Sequence, residues 1–143
     1  SVAAADHVVN ARPEVVRRYG RYHWIDPGSE AGLAHTLAVI RDVLERYDVV
    51  ALPTAQVFPF AIEQSWPQEI AGRGMDTYHR WMEVVIPGSL SGHPVISIPA
   101  GFNTSGLPMG LQLIGRHRGD LDLLRIARAY ERAAGPDFTR RPW

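Results

Sequence analysis

The sequence contains no cysteine, and all fifteen of its basic residues are arginine. The absence of cysteine excludes disulfides, thiolate nucleophiles and cysteine-type zinc sites. The absence of lysine excludes Schiff-base chemistry, a lysine general base and the lysine of a phosphate-binding loop, because arginine keeps its proton under biological conditions. Several classes of enzyme are therefore excluded for this chain taken alone.

Charge and apolar run length limit the partners that the chain is expected to have. Fifteen acidic residues balance the fifteen basic ones, so no overall field favours nucleic acid or an anionic membrane. No apolar run approaches the roughly 20 residues that span a bilayer. The first residues also lack the basic and long apolar regions of a signal peptide. We therefore expect a cytoplasmic protein without a nucleic-acid or membrane partner.

Helical periodicity divides the chain into three parts. A short helical pattern over residues 13–19 predicts a peripheral helical lead within residues 1–28. From Ser29, a plausible N-cap, apolar residues recur at spacings of three and four and predict an amphipathic helix. We expect one segment of an α/β domain over residues 29–135 and a tail over residues 136–143. The stripe of the amphipathic helix consists of Leu33, Leu37, Ile40, Leu44 and Tyr47.

Three short apolar segments predict strands. Val49–Leu52 is a continuous apolar run ended by a proline, which predicts a strand buried on both faces. Val95–Ile98, expected to end at Pro99, and Met109–Ile114 predict two further strands, and their short connection permits antiparallel pairing. Strands of this kind need covering layers and more sheet neighbours than this chain supplies. We expect an α/β fold with a partial mixed sheet flanked by helices.

Two further helices are expected around these strands. Apolar residues over 75–85 predict a second amphipathic helix that ends before Pro87. Asp120 is a candidate N-cap for the last helix, and Gly135 is expected to end it. One face of this last helix is apolar and is predicted to be buried; it carries Leu123, Ile126, Ala127, Tyr130 and Ala134.

The candidates for chemistry within the chain are weak. Six histidines are scattered without the spacing of a metal site, so we expect no metal. The segment Gly88–Gly92 resembles a nucleophile elbow, but its central position is leucine instead of serine. Ser91 and His93 could belong to a serine–histidine–aspartate set, although a helix-to-strand turn that needs glycine is the favoured interpretation.

Aromatic residues in and beside the irregular middle stretch are candidates for a binding role. Phe58, Phe60 and Trp66 lie between two predicted strands, and Trp81 lies on the second predicted helix. Binding residues often occur in such loops. The same residues could also cap the core beneath a long loop, and the sequence leaves both interpretations open.

The order of three segments resembles the C-terminal part of the amidase signature family. These segments are Tyr47–Thr54, Leu90–Gly101 and Gly106–Gly115, and the last of them is the most specific. The resemblance covers roughly residues 29–134. It implies a mixed sheet with helices on both faces and the hydrolysis or transfer of carboxamides. In the family, a serine nucleophile is activated through a second serine and a lysine.

The resemblance also implies which parts of the apparatus this chain carries. The sequence has neither lysine nor the glycine- and serine-rich stretch of the family, so no catalytic residue is carried over; in the family these lie upstream of the matched segments. Because the matched part helps to wall the acyl pocket in the family, Phe58, Phe60 and Trp81 are candidate pocket-lining residues.

We therefore expect the non-catalytic C-terminal portion of an amide hydrolase, inactive alone and without a cofactor. Its parent enzyme would act on a small-molecule amide, and the incomplete sheet is expected to cause self-association. Two alternatives stay open. One is a stand-alone binding or interaction module without catalysis, and the other is part of the glutaminase-type subunit of a tRNA-dependent amidotransferase.

Overall fold

A computed structural model describes residues 29–135 and the backbone of two preceding strands, β1 (Val16–Tyr19) and β2 (Tyr22–Ile25). The chain divides into two compact units, residues 1–43 and 44–143. The predicted tail, residues 136–143, lies outside the described residues, as does most of the predicted lead. The division into a lead, an α/β segment and a tail stays a prediction.

The described part of the lead is a β-hairpin. β1 and β2 pair antiparallel, with Val16 opposite Ile25 and Tyr19 opposite Tyr22. The helix predicted over residues 13–19 is therefore wrong for residues 16–19. β-branched and aromatic residues are common in both segments, and such residues favour strands once a pairing partner is present.

The first long helix, α1 (Glu30–Arg46), begins where the sequence predicted. The backbone N–H of Gly32 donates a hydrogen bond of 2.9 Å to Ser29 Oγ, which confirms Ser29 as the N-cap. Ile40 and Leu44 are buried one turn apart on the predicted stripe. The last residues of α1, from Leu44, belong to the second unit.

The second unit places helices and short turns around a three-stranded sheet. The order of strands in this sheet is β3 (Val49–Pro53), then β7 (Pro108–Gly115), then β6 (Val95–Phe102), and both pairings are antiparallel. The predicted α/β class with a partial sheet is thereby confirmed. The elements in chain order are β3 (Val49–Pro53), β4 (Glu69–Ile70), β5 (Arg73–Gly74), α2 (Tyr78–Trp81), a 3-10 turn (Glu83–Val85), α3 (Ile86–Leu90), β6 (Val95–Phe102), β7 (Pro108–Gly115) and α4 (Asp120–Ala134).

The antiparallel pairing of the second and third predicted strands is confirmed, but two other strand predictions need correction. β3 lies at an edge of the described sheet and Ala51 is exposed, so burial on both faces is wrong for this strand. β6 does not end at Pro99 but continues to Phe102 through a bulge between Pro99 and Gly101. An edge strand tolerates proline at a bulge, and Gly101 accommodates the bend with a φ of +108°.

The helix predicted over residues 75–85 is broken into short pieces. Met82, between α2 and the 3-10 turn, has φ −96° and ψ 4°, which interrupts the α-helical backbone. α3 then begins at Ile86 and includes Pro87, where the sequence predicted a helix end. Proline suits the first turn of a helix because that position has no intrahelical N–H bond to lose.

The core lies between the sheet and α4. Ile98 and Leu113 pack with Leu123 and Ala127 of α4, which confirms the predicted buried face. Asp120 is the first residue of α4, and its predicted role as N-cap is wrong because Gly119 occupies that position. Gly135 follows α4 with a φ of +65°, as expected for a helix end.

The two faces of β7 differ in character. Leu111 and Leu113 face the core beneath α4, so Gly110, Gln112 and Ile114 lie on the opposite face.

In the part of the chain that the structure describes, no helix has the length and apolarity needed to cross a membrane.

Candidate functional site

An open hollow of about 210 Å³ lies on the sheet face opposite α4, within the second unit. The loop that follows β3 forms one wall, Trp81 at the end of α2 forms another, and the start of β7 forms the floor. The three predicted pocket-lining residues are therefore brought together around one space. The hollow is lined by Thr54, Ala55, Val57, Phe58, Pro59, Phe60, Trp81, Pro108, Met109 and Gly110.

An aromatic row supports the wall formed by Trp81. The rings of Phe60 and Trp81 meet edge to face, with centroids 5.7 Å apart. Tyr78 contacts Trp81 at 5.8 Å and Trp66 at 6.3 Å, again edge to face. Trp66 is not part of the lining; its Nε1 donates to the carbonyl of Met75 at 3.1 Å. Edge-to-face contacts with both Tyr78 and Phe60 therefore hold the Trp81 ring in place.

Gln56 joins two walls of the hollow. Its Nε2 donates to the carbonyl oxygen of Arg80 at 3.0 Å and also to that of Trp81. The bonds connect the loop after β3 directly to α2, so the spacing between Phe58 and Trp81 depends on this side chain. No sequence signal pointed to this role, because a glutamine in an irregular stretch is ordinarily a solvated residue.

Gln112 connects the end of β3 to the 3-10 turn that follows α2. Its buried side chain donates from Nε2 to the carbonyl oxygens of Pro53, at 3.0 Å, and Val84, at 2.8 Å. The side chain of Gln112 also lies close to the backbone of Gly88. A Cβ at position 88 would lie 2.9 Å from Gln112 Oε1, so glycine is required there. Gln112 was part of the most specific segment of the sequence resemblance, but its role became visible only in the structure.

The floor of the hollow depends on Gly110. The backbone N–H of Thr54 donates to the carbonyl of Gly110 at 2.9 Å. The hydroxyls of Thr54 and Ser97 share a hydrogen bond of 3.1 Å across the central strand. A Cβ at position 110 would lie 2.6 Å from Thr54 Oγ1 and 3.2 Å from Ser97 Oγ. Glycine at position 110 therefore leaves the space in which the hydroxyls of Thr54 and Ser97 meet over β7.

A charged cluster lies behind the wall formed by Trp81. Burial raises the pKa of the half-buried Glu83 carboxyl, while the nearby guanidinium groups of Arg80 and Arg73 oppose this shift. Arg80 also forms an ion pair of 3.5 Å with Asp76. None of these four residues lines the hollow.

Ser91 is engaged in local backbone bonding instead of facing a substrate. Its hydroxyl donates to the carbonyl of Gly88 at 3.0 Å and accepts from the backbone N–H of His93 at 3.2 Å. His93 Nδ1 lies 3.1 Å from the carbonyl oxygen of Ser91, not from its hydroxyl. With a φ of +69° at Gly92, the predicted helix-to-strand turn is confirmed.

Histidines and carboxylates do not converge in the described part of the chain. The rings of His93 and His117 are 6.0 Å apart. No group of three or more histidine, aspartate or glutamate side chains among the described residues is placed to hold a metal ion.

Comparison of the sequence with known proteins gives related enzymes. Residues 28–124 match the family model described as Amidase. One subunit of a glutamyl-tRNA(Gln) amidotransferase from Myxococcus xanthus (strain DK1622) is 39% identical over 97 residues, which covers 68% of this chain and 18% of that protein. A fatty acid amide hydrolase from Medicago truncatula is 36% identical over 101 residues, which covers 71% of this chain and 16% of that protein.

Two solved structures share the fold. A bacterial aryl acylamidase of the amidase signature family matches with a TM-score of 0.58 and 30% identity, over 76% of this chain and 24% of that one. The corresponding glutamyl-tRNA(Gln) amidotransferase subunit from Thermotoga maritima matches with a TM-score of 0.51 and 34% identity, over 66% of this chain and 19% of that one. The chain thus spans 16–24% of the length of these four relatives. With a family match that extends over most of its residues, the chain belongs to the amidase signature family.

Proposed function

We propose that this chain forms the C-terminal, non-catalytic portion of an amide hydrolase and supplies one side of its substrate pocket. The observation that carries the proposal is the hollow bounded by Phe58, Phe60 and Trp81. It lies within the segment that matches the family and has a floor that only glycine at position 110 permits. Concave, mostly apolar sites with a few placed polar groups are typical of small-molecule pockets.

In the proposed reaction, the catalytic groups come from protein outside this sequence. A serine attacks the amide carbon, ammonia or an amine leaves, and water then resolves the acyl-enzyme. A second serine and a lysine activate the nucleophile, and backbone donors stabilise the developing oxyanion. The present chain has no lysine, so its contribution is to complete the sheet and to position the acyl group.

A second candidate is the glutaminase-type subunit of an amidotransferase that modifies charged tRNA. The relatives from Myxococcus xanthus and Thermotoga maritima, which are both named as glutamyl-tRNA(Gln) amidotransferase subunits, support it. In both candidates a serine enzyme cleaves the C–N bond of a carboxamide and releases ammonia or an amine. The candidates differ in the group that fills the pocket, which is an apolar acyl or aryl group in one and an amino acid in the other. Among the described residues, no specific contact favours a stand-alone binding module.

A chimaera tests the proposed role. Residues 28–124 of this chain replace the matching segment of the bacterial aryl acylamidase, and hydrolysis of an aryl amide is followed by release of the arylamine. We expect the 143-residue chain alone to show no hydrolysis above the buffer rate, and the chimaera to hydrolyse the amide because the host supplies the serines and lysine.

Two controls accompany the chimaera. The first replaces the host's nucleophilic serine with alanine and should abolish hydrolysis. The second deletes the exchanged segment and gives the baseline without a pocket wall. Hydrolysis by the isolated chain would contradict a non-catalytic role. A chimaera that unfolds cooperatively but hydrolyses no amide would contradict the role in the pocket.

Self-association of the isolated chain is a further expected result. In the described sheet, β3 and β6 each have only one neighbour, and exposed edges favour pairing with another chain. We expect light scattering at high concentration to give an average mass above 15.9 kDa. Ala51→Lys, at an exposed position of the edge strand β3, should lower this mass because charge discourages edge pairing.

The matched control for this experiment is Ala61→Lys, which makes the same change at an exposed position in a loop. It should leave the average mass unchanged. A monomer at every concentration, or an equal effect of the two substitutions, would argue against association through the sheet edge.

A further inference from the structure

The size of the hollow limits the group that it can take. Its volume is about 210 Å³, whereas an engineered apolar cavity of about 150 Å³ binds benzene. One aromatic ring or a short acyl chain therefore fits, with some room for the attached amide. A larger group would have to extend past the rim of the hollow.

The lining carries no charge with which to hold an amino acid. Among the residues that the structure describes, none of those lining the hollow is titratable. Two lining side chains have a polar hydrogen-bonding group. The hydroxyl of Thr54 is already paired with Ser97 at 3.1 Å, and the buried Nε1 of Trp81 is an uncharged donor without a hydrogen-bond partner in the described part of the chain. A ligand such as glutamine would bring an ammonium and a carboxylate against this surface, and removing unpaired charges from water is strongly unfavourable.

Two rings in direct contact at the wall of the hollow give it a preferred type of contact. Phe60 and Trp81 are arranged edge to face, with centroids 5.7 Å apart and an interplanar angle of 85°. A further ring in the hollow could pack beside this pair in the offset or edge-to-face geometry that aromatic groups prefer. The partly exposed Phe58 closes the same side.

From these observations we infer that the side of the pocket formed by this chain takes one aromatic or short apolar group of an uncharged amide and does not hold the charged groups of an amino-acid amide such as glutamine. This inference rests on the proposed function, because it names the substrate class of the same site. It separates the two candidate activities, since a glutaminase-type site has to accept the charged α-carbon groups of glutamine.

Binding to the full 143-residue chain tests the inference without catalysis. The indole N–H signals of the ¹⁵N-labelled chain are recorded while 3-phenylpropanamide is added, and Trp81→Phe identifies the signal of Trp81. We expect a saturable shift of this signal with 3-phenylpropanamide and none with L-glutamine at the same concentrations. Phenylalaninamide, which adds one ammonium group to the first probe, should bind at least about tenfold more weakly, because a tenfold change corresponds to about 1.4 kcal/mol.

Variants of exposed aromatic residues complete the experiment. Phe60→Ala should weaken binding of 3-phenylpropanamide roughly three- to tenfold by removing one ring contact. Tyr47→Ala removes an exposed aromatic side chain that does not line the hollow and should leave binding unchanged. Both replaced side chains are partly or largely exposed, so the fold should tolerate either change.

The outcomes distinguish this inference from the proposed function. Saturable binding of L-glutamine in preference to 3-phenylpropanamide would overturn the inference and leave a pocket role intact. Binding of neither compound would overturn both. Equal weakening by Phe60→Ala and Tyr47→Ala would overturn the assignment of binding to the hollow.

Discussion

Ile114→Ala should lower the free energy of unfolding by about 2–5 kcal/mol. Ile114 is 0% exposed and lies in the central strand, opposite Val50 in β3 and Val95 in β6. Truncation there removes apolar contacts and leaves a cavity that the neighbouring strands cannot fill without losing register. The expected loss is a large part of the stability of an ordinary domain.

Denaturant unfolding followed by far-ultraviolet circular dichroism measures this loss. The matched control is Ile62→Ala, because Ile62 is 95% exposed in the loop after β3. The control should change the free energy of unfolding by no more than about 0.5 kcal/mol. If both variants unfolded at the same denaturant concentration, the central strand could not be the core of a folded unit in the isolated chain.

Gln112→Met should also be strongly destabilising, although methionine nearly preserves the volume of the side chain. The substitution removes both donors that now satisfy the carbonyl oxygens of Pro53 and Val84. Both hydrogen bonds are partly buried, and an acceptor left without a partner away from water costs about 1–3 kcal/mol. The loss should also loosen the hollow, because Pro53 and Val84 each lie within three residues of a lining residue, Thr54 and Trp81 respectively.

The same substitution at Gln68 gives the control. Gln68 is exposed, and its Nε2 donates at 3.1 Å to a carbonyl oxygen, that of Trp66, in an exposed hydrogen bond. Because water can replace this donor, Gln68→Met should change stability little. A Gln112→Met variant as stable as the parent chain would show that the two hydrogen bonds do not hold the hollow together.

The sequence was most informative where one residue pattern decided the structure. α1 begins next to Ser29 because a side-chain cap and a long apolar stripe agree there. β7 and the buried face of α4 were also predicted, because uninterrupted apolar residues and a regular helical period leave little choice of burial. The family resemblance was most specific in Gly106–Gly115, which contains β7, and the family model matches residues 28–124.

Other elements depended on partners that a local pattern does not reveal. The strand at residues 16–19 follows a helical period but is paired with β2. The segment from Tyr78 to Leu90 has helical apolar spacing, yet it is divided at Met82 and restarted at Pro87. In each case tertiary contacts or backbone conformation outweighed the local preference.

The candidate site was predictable in part. The aromatic residues could be proposed from their position in a long loop and from the family resemblance, and the structure brings Phe58, Phe60 and Trp81 around one hollow. The hydrogen bonds that hold its walls could not be predicted, because Gln56 reaches a segment 24 residues away and Gln112 reaches one 59 residues away. The sequence spacing of a glutamine does not indicate which distant carbonyl it will meet.

The mass of the native polypeptide tests most directly whether this chain is one portion of a larger amide hydrolase. An antibody raised against the chain is used to probe a lysate of the cells that express it. We expect a band far heavier than 15.9 kDa, because the nucleophilic serine and the lysine must then lie on the same polypeptide. A single band at 15.9 kDa would contradict this expectation, since a lysine-free chain of that size cannot supply the family's catalytic groups.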